Sequence, residues 1–162
     1  MADLNTLEEK LAEVTGLAGA AIEATKKVES LLDNDDLTSA VQRMREEAEE
    51  TERRCEAVAD SRDGKKTAIL EKARETKSEG VEMMRTYLGE DSDELDGFEF
   101  LTMAEAGEVG HWAILGKVNE KAGEQDVAEL VEWALPIQER HLSDVRDGSL
   151  KLAADEDPYD ES

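Results

Sequence analysis

The sequence predicts an all-α protein, a bundle of about five helices in which a crossover helix joins two antiparallel helix hairpins. Apolar residues recur at alternating steps of three and four along five segments, which is the spacing of one helix face. Short polar stretches separate these segments, and the chain has only two prolines. A length of 162 residues is enough for one domain with a real core. Because only 4% of the residues are aromatic, Leu, Val, Ala and Met must supply most of that core.

The first hairpin is predicted from two segments that flank the acidic stretch at 33–36. That stretch ends one helix and caps the next, and so short a loop predicts antiparallel neighbours. The predicted inner face of the first helix contains Leu4, Leu7, Leu11, Val14, Ala18, Ala21, Thr25, Val28 and Leu32. The predicted inner face of the second contains Leu37, Val41, Met44, Ala48, Thr51, Cys55 and Val58.

The third helix is predicted over about 65–88 and would connect the two hairpins. Its inner face is expected to contain Ile69, Ala73, Gly80, Met84 and Tyr87. The sequence GEDSDELDG that follows is rich in turn and capping residues, so it should end this helix and begin the next one.

The second hairpin is predicted from a fourth helix over about 95–121, a loop near 122–125 and a fifth helix. Proline removes a helix hydrogen bond, so Pro136 indicates either a kink in the fifth helix or a break between two shorter ones. The bundle is expected to span residues 1–153, followed by a disordered acidic tail at 154–162. The predicted inner positions are Leu101, Ala104, Glu108, Trp112 and Leu115, then Val127, Leu130, Val131, Ala134, Gln138, His141, Leu142 and Val145.

The charge of the chain limits its partners. The 42 acidic and 19 basic residues give a formal net charge of −23. Such a charge argues against binding a nucleic-acid backbone or an anionic membrane surface. The charge favours cations as partners, and the alternative explanations of the acidic residues are a solvated surface and adaptation to high salt.

The N-terminal sequence MADLNTLEEKL lacks the basic and apolar regions of a signal peptide. No apolar run approaches the ~20 residues that a bilayer requires. These two features predict a cytoplasmic protein. Cys55 is the only cysteine, so no disulfide can form within the chain.

The inner faces of the fourth and fifth helices contain polar residues where bundles normally have apolar ones. Residues three apart lie on nearly the same helix face, so Glu108 can approach His111, and Gln138 can approach His141. In an antiparallel hairpin centred near residue 123, Glu108 lies beside Gln138 and Glu105 beside His141. The sequence therefore predicts a single polar layer across the bundle.

Two interpretations of this layer remain open. Glu108, His111 and His141 would supply one oxygen and two nitrogen ligands, a set suited to a transition-metal ion such as iron, manganese or zinc. Glu105, Gln138 and Cys55 would be further ligands or would orient the metal-bound imidazoles. In the metal-free alternative, Glu108 and Gln138 form a hydrogen bond across the bundle and each histidine lies at its edge.

The second hairpin resembles the last helix pair of the ferritin-like superfamily. The sequences EAGEVGHWAILGKVNEKAG and VAELVEWALPIQERHL are similar to a pair in which a lone glutamate precedes, by about thirty residues, an E-x-x-H motif on the partner helix. Glu108 matches the lone glutamate and His141 the histidine, whereas Gln138 replaces the glutamate of E-x-x-H.

The first hairpin matches this pattern only in part. Glu52 and Cys55 occupy the position of its E-x-x-H motif, and Glu23, the first-helix glutamate by spacing, should point away from the inner face. The resemblance implies a four-helix core with a metal site, and oxidase, ferroxidase or peroxide-linked chemistry. The alternative is an inert helical scaffold or a stress-associated binding protein that lacks the metal.

The fourth helix also has a second apolar face, formed by Met103, Gly107, Gly110 and Ile114. A glycine within a helix costs up to ~1 kcal/mol unless another backbone approaches closely. This face therefore predicts that either the third helix or a second subunit packs there, and a homodimer is the expected assembly.

Overall fold

The computed structural model describes residues 2–161, which contain five α-helices and no strand. All five predicted helices are present, with ends within a few residues of those expected. Met1 and Ser162, the outer ends of the predicted domain and tail, lie outside the described residues. The helices are α1 (Thr6–Glu29), α2 (Asp35–Asp60), α3 (Lys66–Tyr87), α4 (Glu94–Ala122) and α5 (Gln125–Ala154).

Short polar residues set the helix ends. The Asn5 side chain accepts from the backbone N–H of Glu8 at 2.9 Å, and the Glu8 carboxylate accepts from the backbone N–H of Asn5 at 2.9 Å. This reciprocal pair satisfies two donors that the first turn of α1 leaves free. Asn34 caps α2 through its side chain, and Asp93 begins α4 with another reciprocal pair. Gly123 ends α4 at a φ of 66°, which permits the tight turn into α5.

Helix α5 continues through Pro136 as one helix of 30 residues. The alternative of two shorter helices is therefore wrong. Packing of α5 along both α4 and α2 holds the helix together where proline removes one hydrogen bond. After Ala154, residues 155–161 are exposed and belong to no helix.

Four helices form the bundle, and α3 packs against its outer side, from which Ile69 reaches the core. Around the bundle, α1 packs on α2, α2 on α5, α5 on α4, and α4 on α1. Helix α3 packs along the outer side of α1, where Gly16 allows a close approach. A Cβ atom at Gly16 would lie 2.4 Å from the carbonyl oxygen of Ala73. The prediction that Tyr87 lies inward is wrong, because its side chain is 59% exposed and Leu88 occupies the buried position instead.

Two apolar clusters fill the core at opposite ends of the bundle. The first includes Leu11, Ile69, Trp112, Leu115 and Val127. The second includes Val28, Leu37, Met44, Phe98 and Leu101. Between them the bundle contains buried polar side chains from α4 and α5. None of the helices described over residues 2–161 has the length and hydropathy needed to cross a bilayer.

Candidate site in a buried polar layer

Glu105, Glu108, Gln138 and His141 lie together between the two apolar clusters. Each is at most 3% exposed. Glu105 and Glu108 are three residues apart on α4, as Gln138 and His141 are on α5, so each pair projects from one helix face. The tight turn at Gly123 sets the register of α4 against α5. The structure therefore brings together four of the six residues that the sequence singled out.

The Gln138 amide joins the two carboxyl groups. One terminal atom of this amide lies 3.0 Å from Oε2 of Glu105 and 3.1 Å from Oε2 of Glu108. If that atom is the nitrogen, it donates a hydrogen bond to each carboxyl group. If it is the oxygen, three oxygen acceptors face one another and require a proton or a cation between them.

The His141 imidazole bridges carboxyl groups from two other helices. Its Nε2 lies 3.2 Å from Oε1 of Glu47 on α2, and its Nδ1 lies 3.8 Å from Oε2 of Glu105 on α4. Arg140 forms an ion pair with Glu47. Burial alone would raise the pKa of Glu47, but hydrogen bonds from Arg140 and His141 lower it below its usual range. The ionised Glu47 therefore accepts from Nε2–H, which leaves the Nδ1 lone pair directed toward Glu105.

Burial determines the protonation of the layer. It raises the pKa of Glu105 to about 8. Burial, together with the charge of Glu105, raises the pKa of Glu108 well above its usual range. Burial also lowers the pKa of His141. Without a cation, the carboxyl pair therefore holds protons near neutral pH while His141 is uncharged.

Cys55 is fully buried in the apolar cluster beside Leu11 and Ile69. Burial raises the pKa of its thiol to about 12. Metals bind the thiolate form. This arrangement favours an apolar packing role for Cys55, and the structure does not place it among the polar side chains around Gln138.

His111 does not reach the layer. Its side chain is 42% exposed, and Nε2 lies 4.0 Å from Oε2 of Glu13 on α1. Its Nδ1–H donates to the carbonyl oxygen of Gly107 at 2.8 Å. Glu105, Glu108 and Trp112 occupy the buried face of α4, so a residue three positions after Glu108 falls at the edge of that face.

Sequence reasoning missed Glu47 and Arg140. Glu47 directly precedes Ala48, and Arg140 directly precedes His141. Both residues therefore lie at the border of the buried face of their helix. Their opposite charges were the available signal. The spacing of apolar residues alone gives no reason to pair them.

Glu47 is the carboxylate of the first hairpin that contacts the layer, and Glu23 and Glu52 do not reach it. Glu23 points outward, with a 40% exposed side chain 3.5 Å from the Lys26 amine, as the sequence predicted. Glu52 is half-buried beside Lys77 of α3. Among the described residues, no three His, Cys, Asp or Glu side chains are already arranged as a metal-ligand set.

A cavity of about 500 Å³ lies beside the layer, between α1, α3 and α4. Glu105 and Glu108 form part of its wall. The layer is thus closed by packed helices on the α5 side and adjoins a cavity on the other.

No protein-family model matches the chain, and no curated protein matches it with significant similarity.

Proposed function

We propose that the polar layer binds one divalent transition-metal ion, with iron, manganese and zinc as the candidates. The proposed ligands are Glu105, Glu108 and His141, with the Gln138 oxygen as a fourth. The proposal rests on one observation, the approach of both carboxyl groups to the same terminal atom of Gln138, at 3.0 and 3.1 Å. Oxygen atoms about 3 Å apart have the spacing of neighbouring ligands on one metal ion whose bonds are ~2.1 Å long.

The orientation of His141 supports this proposal. A metal-bound imidazole usually donates its other ring N–H to a carboxylate. Glu47 accepts from Nε2 at 3.2 Å, and Arg140 holds Glu47 in place. The Nδ1 atom is too far from Glu105, at 3.8 Å, for a hydrogen bond. A metal ion would use the lone pair that this arrangement leaves without a donor.

The electrostatics of the carboxyl pair also support a cation. Two carboxyl groups that are 2% and 3% exposed have no Lys or Arg within ion-pair distance among the described residues. A divalent ion would displace their protons and neutralise them. Bound iron would supply oxygen or peroxide chemistry of the ferritin-like kind, although one hairpin alone provides ligands for a single ion.

A metal-free structural network is the second candidate. With the Gln138 nitrogen facing the carboxyl groups, the amide donates to both of them. The layer would then fix the register of α4 against α5, and the protein would be a helical scaffold. The two candidates differ in which end of the Gln138 amide faces Glu105 and Glu108.

The decisive experiment is a metal titration of protein that has been purified without added metal and treated with a chelator. Calorimetry with Mn²⁺ and Zn²⁺, and optical absorption with Co²⁺, should each give about one ion per chain. Glu108→Gln and His141→Ala should abolish this binding. Gln138→Glu should tighten it by adding a carboxylate. The metal should also raise the melting temperature, because it binds only the folded chain.

His111→Ala and Glu23→Ala are the matched controls and should leave metal binding intact. Retained metal binding in His141→Ala would contradict the metal proposal. Failure of the wild type to bind Mn²⁺, Zn²⁺ or Co²⁺ at micromolar concentration would also contradict it. Loss of binding in His111→Ala would contradict the ligand set chosen from the structure. It would favour instead the set with His111 that the sequence predicted.

We also propose a homodimer through the second apolar face of α4. Met103 is 40% exposed and Ile114 46% exposed. No atom lies within 4 Å of a Cβ built at Gly107 or Gly110, so α3 does not pack against these glycines. Sedimentation equilibrium at tens of micromolar should give twice the 17.9 kDa chain mass. A monomer at that concentration would refute the dimer.

A further inference from the structure

The cavity between α1, α3 and α4 has the features of a small-molecule site. Its volume of about 500 Å³ is within the range of ligand pockets. Leu17, Ala21 and Leu101 are among the apolar side chains that line it, and Met83 and Met103 lie at its border. Most of its wall is apolar, so a ligand would need an apolar body.

The buried carboxyl groups of the cavity wall are those of the polar layer. Glu105 and Glu108 line the cavity and are 2% and 3% exposed. Gln138 contacts both carboxyl groups from the α5 side. An apolar wall that ends at two buried carboxyl groups complements a molecule with one positively charged end.

We propose that this cavity binds a small apolar molecule that carries one ammonium group, with the ammonium at Glu105 and Glu108. The apolar body would lie against α1 and α3. This inference does not depend on the proposed metal site. A metal ion and the ammonium ligand would compete for the same carboxyl groups, because both are cations.

The surrounding charges favour a cation over an anion. On the cavity side, the charged or titratable residues are Glu13 on α1, Lys72 and Glu79 on α3, and His111 on α4. On the other side, His141 of α5 faces Glu105, with Glu47 of α2 behind it, and Cys55 lies on α2. On the cavity side the two carboxylates outnumber the one lysine, which favours a cation over a carboxylate ligand. On the other side the charge of Glu47 is balanced by Arg140, which forms an ion pair with it.

The test uses the full chain in a chelator, with hexylammonium as the probe and hexanol and hexanoate as its neutral and anionic counterparts. Calorimetry should show hexylammonium binding at least about tenfold more tightly than either counterpart. Equal affinity for hexylammonium and hexanol would overturn the charged end of the proposal.

Gly107→Leu and Gly110→Leu form a matched pair of variants one turn apart on α4. Neither glycine has a neighbour within 4 Å of an added Cβ, and both lie on the proposed dimer face, so an effect on association is common to the two variants; only Gly107 lines the cavity. Gly107→Leu should reduce hexylammonium affinity at least about tenfold, whereas Gly110→Leu should change it less than about twofold. Equal effects of the two variants would overturn the cavity as the site.

Glu108→Gln separates recognition of the charge from recognition of the apolar body. It should reduce hexylammonium affinity about tenfold and leave hexanol binding unchanged. The metal proposal is tested separately, because Gly107→Leu should leave Mn²⁺ binding intact while it weakens hexylammonium binding. Loss of Mn²⁺ binding in Glu108→Gln, with hexylammonium binding retained, would overturn the ammonium site alone.

Discussion

The two hairpins satisfy their buried polar groups differently at the same depth of the bundle. In the first hairpin, Thr15 donates to the carbonyl oxygen of Leu11 at 2.7 Å, and Thr51 donates to that of Glu47 at 2.8 Å. Each hydroxyl is thus satisfied within its own helix. In the second hairpin, the carboxyl, amide and imidazole groups have partners only on other helices. These groups belong to Glu105, Glu108, Gln138 and His141.

This difference shows that the side chains of the polar layer come from the second hairpin. Hydroxyl groups bonded to their own backbone remain satisfied when neighbouring helices move, so they place little constraint on packing. A carboxyl–amide contact between helices exists only at one register. The second hairpin therefore contains both the candidate ligands and the contacts that fix its own geometry.

The largest effect should come from removing the amide that joins the two carboxyl groups. Gln138→Leu leaves both buried carboxyl groups without their hydrogen-bond partner, which should lower the free energy of unfolding by about 3 kcal/mol. The matched change in the first hairpin, Thr51→Val, removes a hydroxyl together with its local hydrogen bond and should cost under about 1 kcal/mol. Urea unfolding followed by circular dichroism measures both values.

Similar losses in Gln138→Leu and Thr51→Val would contradict the comparison. Equal losses would mean that the contacts between α4 and α5 in the layer stabilise the fold no more than the hydrogen bonds that the threonine hydroxyl groups form within their own helices. Chelator-treated protein is needed for both measurements, because a bound metal would add its own contribution.

The second effect is the pH dependence of stability. Burial raises the pKa of Glu105 from 4.5 in the unfolded chain to about 8 in the folded protein. Between these values the folded protein binds the proton more tightly, so stability falls as the pH rises and stops falling above the folded pKa. Wild type should lose on the order of 2 kcal/mol between about pH 6.5 and pH 8, and Glu105→Gln should lose less.

His141 acts in the opposite direction below this range. Burial lowers its pKa from 6.5, so its contribution is present above 6.5 and is lost as the pH falls through the folded value. Above about pH 6.5 the contribution of His141 is constant, and the slope reports the carboxyl pair. An unchanged slope in Glu105→Gln would show that this carboxyl group is ionised in the folded, metal-free protein.

The sequence predicts the layer well because its information is local. Apolar spacing identifies the inner face of each helix, and the tight turn at Gly123 fixes which residues of α4 and α5 lie side by side. The same reasoning fails for His111, since a helix face has edges and spacing alone does not separate an edge position from a central one. Pairing of Glu47 with Arg140, and the cavity beside α3, depend on how helices from different hairpins pack, which no local pattern specifies.

A third prediction compares glycines in the two hairpins. A Cβ at Gly16 of α1 would lie 2.4 Å from the carbonyl oxygen of Ala73, so Gly16→Ala must move α3 and should cost about 1 to 2 kcal/mol. A Cβ at Gly107 of α4 meets nothing within 4 Å, so Gly107→Ala should stabilise the protein by up to about 1 kcal/mol. Thermal unfolding of the two variants measures this difference, and effects of the same sign would contradict it.

The smallest expected effect is that of salt, which distinguishes exposed acidic residues from the buried pair. The net charge of −23 should weaken the folded state at low ionic strength through repulsion between exposed charges on both hairpins. Molar potassium chloride should therefore raise the melting temperature by a few degrees, about 1 kcal/mol or less. Salt screens buried groups poorly, so wild type and Glu105→Gln should rise by the same amount. A larger rise of the melting temperature in wild type would mean that salt also screens the buried pair. No rise in either protein would leave solubility, rather than adaptation to high salt, as the reason for the acidic surface.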